Sequence, residues 1–63
     1  MVLTYFTKEE LITQLKLQFS YEEQRTLDFT QFTLTETVQG FIAKLYGRQF
    51  LIHKDLGVVI REL

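Results

Sequence analysis

The sequence predicts a single small α+β domain over residues 1–63, with two helices packed on one face of a C-terminal β-hairpin in the order α-(β)-α-β-β. Three observations predict it. A Thr7-x-x-Glu10 signature precedes an apolar stripe of helical period. A second such stripe follows Thr33-x-x-Glu36. Beyond Gly47 the period changes to two on both sides of Asp55-Leu56-Gly57.

Val2–Phe6 is branched and aromatic and reads as an edge strand or a packed arm. Thr7 and Glu10 then form a capping box: the hydroxyl accepts from an orphan backbone N–H, and the carboxylate reaches back to the cap's own N–H. Phe6 and Leu11 stand at the two positions of a hydrophobic staple. Leu11, Leu15 and Phe19, with Ile12 beside them, continue a helical stripe to Gln18 or Phe19. Ser20 and Glu23 repeat the capping pattern and start a short helix through Thr26. Leu27 and Phe29 then alternate with Asp28 and Thr30, which favours an extended stretch from Thr26 to Gln31. Residues 20–32 therefore read both ways, and the extended part would make the sheet three-stranded.

In the second half, Leu34, Val38, Phe41, Ile42 and Leu45 fall at i, i+4, i+7, i+8 and i+11. With Thr33 and Glu36 as capping box and Gly47 as terminator, this predicts the second helix. Gly40 opposes it, at about 1 kcal/mol against alanine in a helix interior. Arg48–Lys54 and Val58–Leu63 then read as a hairpin closed by a three-residue loop. The register sets Lys54 opposite Val58, Ile52 opposite Ile60 and Phe50 opposite Glu62. One face carries Phe50, Ile52, Val58 and Ile60 for the helices, and the other carries Leu51, His53, Val59, Arg61 and Leu63.

A chain of 63 residues holds one marginal core. It has no cysteine, hence no disulfide and no thiolate chemistry. No apolar run approaches the ~20 residues of a membrane span, and no leader pattern opens the sequence. A cytoplasmic location and no membrane partner are the expectations. Net charge is −1. That disfavours both a strongly electrostatic nucleic-acid binder and an acidic DNA mimic.

Catalytic and metal constellations do not form in the sequence. His53 is the single histidine and Ser20 the single serine, in different elements. One His and no Cys leave carboxylates as the only further ligands, at no recognisable metal spacing. Neither glycine-rich phosphate signature occurs among Gly40, Gly47 and Gly57. Glu9-Glu10 and Glu22-Glu23 occupy first-turn positions, where carboxylates complement the helix dipole. The chain is expected to be no enzyme and to hold no cofactor or metal.

Two features remain. A helix followed by a hairpin bearing Lys44, Arg48, Lys54 and Arg61 resembles the winged-helix plan of small phage and plasmid regulators such as excisionases. The resemblance implies a helix in the major groove and a hairpin on the phosphates; net charge argues against that alternative. The other feature is a surplus of apolar side chains, with six Phe and three Tyr in so short a chain. Leu51, Val59 and Leu63, with Tyr46, are the candidate interface, since exposed apolar patches mark association surfaces. The expected function is a non-catalytic protein–protein interaction module, a small regulator or adaptor that forms a homodimer and engages another protein.

Overall fold

The computed structural model describes residues 6–63. Expectations for residues 1–5, including an edge strand or arm, lie outside the described residues. Two short helices come first, α1 (Lys8–Lys16) and α2 (Tyr21–Thr26). Four strands follow: β1 (Thr33–Thr37), β2 (Gly40–Leu45), β3 (Arg48–His53) and β4 (Val59–Glu62). They form one antiparallel meander in the order β1-β2-β3-β4.

Both N-terminal helices start as their sequences predict. The Thr7 hydroxyl accepts from the Glu10 N–H at 3.1 Å, and the Thr7 N–H donates to the Glu10 carboxylate at 2.8 Å. Ser20 and Glu23 repeat the exchange at 3.2 and 2.9 Å. The segment after α2 is not a strand. The Asp28 carboxylate accepts from the Thr30 N–H, the Thr30 hydroxyl and the Gln31 amide, folding residues 28–31 into a side-chain-braced turn.

The expected order α-(β)-α-β-β is overturned at its second helix. Residues 33–45 are a hairpin, β1 and β2, and the helices precede the sheet rather than alternate with it. Thr33, Thr35 and Thr37 alternate with Leu34 and Glu36. Buried Phe41, Ala43 and Leu45 alternate with Ile42 and Lys44. This period of two coexists with the helical spacing, because Leu34, Phe41 and Leu45 satisfy both, while Val38 falls in the turn and Ile42 on the other face. Threonine and β-branched content decides for strand.

Turn chemistry supports the same outcome. Tyr46 and Gly47 have φ of 51° and 77°. Positive φ at both central residues is the signature of the two-residue hairpin turn that matches strand twist. Gly47 thus joins β2 to β3 rather than ending a helix. Gly40, at φ 145°, opens β2 opposite His53. A Cβ there would overlap the Ile52 carbonyl oxygen, so β3 approaches where only glycine fits.

The C-terminal hairpin forms in a different register from the expected one. The His53 N–H donates to the Val58 carbonyl, and the Gly57 N–H to the His53 carbonyl, both at 2.9 Å. Four residues, Lys54–Gly57, therefore make the loop. Ile52 faces Val59, whereas Leu51 faces Arg61 and Phe50 faces Glu62. Ile60 is the extra residue of a bulge, which restores the predicted Phe50–Glu62 pairing. Val59, assigned from sequence to the outer face, instead packs against the core, and Ile60 is exposed.

The core lies between the helices and one sheet face. Leu11, Leu15 and Phe19 meet Phe41, Leu45, Phe50 and Ile52, with Phe29 closing one end. Phe19 packs edge-on to Phe29 at 5.1 Å and tilted to Phe50 at 5.9 Å. Four of the six phenylalanines are consumed here: Phe19, Phe29, Phe41 and Phe50 are all buried.

Candidate functional site

Strand parity divides the sheet into two faces. Leu34, Ala43, Phe50 and Glu62 form one row across the helix-covered face, and Glu36, Phe41, Ile52 and Val59 form the next. The opposite face carries Thr35, Ile42, Leu51 and Arg61 in its central row. Thr33, Lys44 and Gln49 lie in the row beside it, extended by Leu63, whose N–H donates to the Gln49 carbonyl at 2.8 Å. No described helix covers that face. Leu51 stands outside the main core cluster yet is only 6% exposed.

Charge is distributed unevenly between the two sides. Glu36 and Glu62, the only carboxylates in the strands, share the parity of the core residues. The remaining acids lie in the helices, the loop after α2 and the β3–β4 loop. Lys44 and Arg61 are exposed on the open face, and their side chains have no ion-pair or hydrogen-bond partner among the described residues. A chain of net charge −1 thus presents one sheet face whose fixed charges are both positive.

The four cations of the DNA-binding alternative are not brought together. Arg48 belongs to the core side. Its guanidinium lies 4.4 Å from the Phe19 ring centroid and 5.1 Å from that of Phe50, and it grips Glu62 through two bonds of 2.8 and 2.7 Å. That hydrogen-bonded pairing raises the Arg48 pKa and lowers that of Glu62. Lys54 sits in the β3–β4 loop, while Lys44 and Arg61 are on the open face. The helix meant for the major groove is the β1–β2 hairpin.

The candidate interface is also split. Leu51 and Leu63 belong to the open side, and Val59 to the core side. Tyr46 is a clasp: its hydroxyl accepts from the Asp28 N–H at 2.9 Å and donates to the Asp28 carbonyl at 3.1 Å, tying the β2–β3 turn to the loop after α2. Ile42, which the sequence reading places on a helical core stripe, and Thr35, which it does not single out, complete the open face. Their signal was the two-residue period of 33–45, hidden by the coincident helical spacing.

The polar groups considered for chemistry have structural tasks. His53 Nδ1 accepts from the Asp55 and Leu56 N–H groups at 3.1 and 3.2 Å, closing the β3–β4 loop. The Ser20 hydroxyl is the α2 cap. The Glu23 pKa is lowered first by the Ser20 N–H it accepts from and then by the Ser20 hydroxyl. That of Asp28 is lowered first by the Thr30 hydroxyl and then by the Thr30 N–H. Among the described residues, no three His, Cys, Asp or Glu side chains gather to hold a metal ion. No helix among them is long and apolar enough to cross a membrane. A cleft of about 350 Å³ opens beside β1, lined by Phe6, Lys8, Leu11, Thr30, Phe32 and Leu34. No known protein family, curated protein or solved structure matches the chain.

Proposed function

We propose that this chain is a non-catalytic protein-interaction module, a small regulator or adaptor, that binds through the open face of its sheet. The single observation behind this reading is a four-stranded sheet covered by described helices on one side only, with Ile42 and Leu51 at the centre of the other. Sheets in stable domains bury one face and solvate the other with polar residues. Leu51 is buried and Ile42 half-buried there, so this face offers a partner chiefly its exposed threonines and the exposed cations Lys44 and Arg61, suited to intermittent contact.

Homodimerisation, expected from Leu51, Val59 and Leu63 acting together, has weaker support once Val59 is on the core side. A two-fold contact between open faces would bring together two surfaces whose fixed charges, Lys44 and Arg61, are both positive. Like charges so placed oppose association. The reading therefore favours a different protein as partner.

Site-specific photo-crosslinking in living cells tests it. A crosslinker at Thr35, on the open face, should yield a protein adduct of defined mass, and one at Thr13, exposed on α1, should not. Equal adducts from both positions, or none from Thr35, would refute the proposal. Sedimentation equilibrium over a wide concentration range checks the oligomeric part: a monomer is expected.

A further inference from the structure

β1 is an edge of the sheet, and a cleft of about 350 Å³ opens beside it on the helix side. We infer that this edge takes an extended segment of another protein as an added antiparallel strand, with one large apolar side chain entering the cleft. This goes beyond the open-face reading. It uses the rim of the sheet and its helix side, so each stands or falls alone.

Main-chain groups set the form of the occupant. The Gln49 carbonyl accepts from Leu63, and His53 bonds to Val58 and Gly57, so Gln49 and His53 point towards the β4 side. Alternation along the ladder then turns Phe50 and Ile52 towards β2, and Ile42 and Lys44 towards β1. Thr33, Thr35 and Thr37 face β2 in turn. The N–H and C=O of Leu34 and Glu36 are left directed outward, with no partner among the described residues. The other edge is blunted. β4 has four residues, the Ile60 bulge and the charges of Arg61 and Glu62, all of which discourage pairing. β1 keeps an unbroken register with β2 over its five residues, three of them threonine, with no lysine, proline or bulge.

The cleft and its charges set the chemistry. A residue paired with Leu34 directs its side chain to the same face, beside the cleft that Phe6, Leu11, Phe32 and Leu34 line. Leu34 is 39% exposed, so apolar surface is open to contact there. Lys8 lines the cleft with Thr30 and Phe32, at the end where β1 begins, and Glu36 stands two residues beyond Leu34. Both are exposed, and neither has an ion pair among the described residues. The Asp28 carboxylate feels Lys8 only through space, its own bonds going to Thr30 and Gln31. Opposite charges attract across strands. From its N-terminus, an antiparallel occupant therefore carries a base opposite Glu36, the large apolar residue opposite Leu34 and an acid in line with Phe32, at alternate positions.

The test titrates the isotopically labelled full chain by NMR with capped peptides of strand length. The matched peptide is Thr-Lys-Thr-Phe-Thr-Glu-Thr. A second exchanges its Lys and Glu, a third has Ser for Phe, and a fourth carries N-methyl-Phe, which cannot donate to the Leu34 carbonyl. The matched peptide should slow hydrogen exchange at the Leu34 and Glu36 amides and shift the signals of Leu11, Phe32 and Leu34. It should bind about threefold more tightly than the exchanged peptide, and about tenfold more tightly than the serine and N-methyl ones. The double variant Lys8→Glu/Glu36→Lys, changed only at exposed positions, should reverse the charge preference. No binding, equal affinity of the exchanged, serine or N-methyl peptide, or shifts centred on Ile42 and Leu51 would each overturn the inference. Slow exchange at both Leu34 and Glu36 before any peptide is added would overturn it too. In the dilute chain that result means the edge is taken from within, and in the concentrated chain alone, by a second copy.

Discussion

Replacing Gly40 with alanine tests the β1–β2 hairpin by the sign of its effect. In a helix interior the substitution would stabilise by about 1 kcal/mol. In the hairpin it must destabilise, for two reasons. At φ 145° an L-residue is strained, which costs about 1–3 kcal/mol. The new Cβ would also overlap the Ile52 carbonyl oxygen and sit 3.3 Å from the Lys54 nitrogen. Both are backbone atoms, so no side chain can rotate away, and β3 must retreat from β2 at the Gly40–His53 end of the ladder. Losing one ladder bond adds about 0.5–1.5 kcal/mol.

Together these give about 2–4 kcal/mol, against a total stability of roughly 3–9 kcal/mol for a domain of this size. Urea unfolding followed by circular dichroism reads it. With a slope of about 1 kcal/mol per molar, the midpoint should fall by about 2–4 M. Gly47→Ala is the control. Nothing lies within 4 Å of its Cβ, so only the left-handed backbone at φ 77° opposes it, at about 1–2 kcal/mol. A Gly40→Ala midpoint equal to or above that of the parent would refute the hairpin.

Three further outcomes are expected. Tyr46→Phe removes both bonds to Asp28 and should cost about 1–2 kcal/mol, with faster hydrogen exchange at the Asp28 amide; unchanged exchange would remove the clasp. Arg48→Lys keeps the charge but loses the two-pronged grip on Glu62 and the guanidinium contact over the Phe19 ring, so its melting temperature should drop, and Arg48→Ala should drop it further. Equal melting of Arg48→Lys and the parent would contradict that account. Glu23, Asp28 and Glu62 all have lowered pKa values in the folded chain. Their stabilisation is complete above the ordinary carboxylate range and lost as pH falls through the depressed values, so unfolding should steepen below about pH 4. Asp28→Asn should flatten that acid limb.

The N-terminal half was legible because its signals are local. Thr7 with Glu10 and Ser20 with Glu23 each satisfy their caps within four residues, and both boxes form. The same signature at Thr33 and Glu36 misled because a capping box has meaning only at the start of a helix. Here the chain runs on into β2, whose partner β3 lies further along still. Pairing of Phe41 with Ile52 and Ala43 with Phe50 is a tertiary fact that a local window does not contain. Two local signals did point to it. Threonine at 33, 35 and 37 marked the strand, and Tyr46-Gly47 marked a two-residue turn once φ is positive at both. The cost assigned to Gly40 in a helix pointed the same way.

The correction at 33–45 creates the candidate site. A helix there would have added a third apolar element to the same side as α1 and left the C-terminal hairpin as a small platform. Folded as β1 and β2, these residues widen the sheet to four strands while withdrawing a helix from the supply available to cover it. Two short helices, one of six residues and with no buried side chain, then serve four strands. α1 and the Phe19–Phe29 end fill one side, and Ile42 and Leu51 are left to the other. The bulge at Ile60 matters equally. By returning Phe50 to Glu62 and Leu51 to Arg61 after Ile52 has met Val59, it keeps Arg61 beside Leu51 and Glu62 beside Arg48. Were Ile60 paired opposite Leu51 in a regular ladder, Arg61 would take core-side parity opposite Phe50 and Glu62 the open side, inverting the sign of the face. The positive charge of that surface is therefore a consequence of Ile60 bulging out of the β3–β4 ladder.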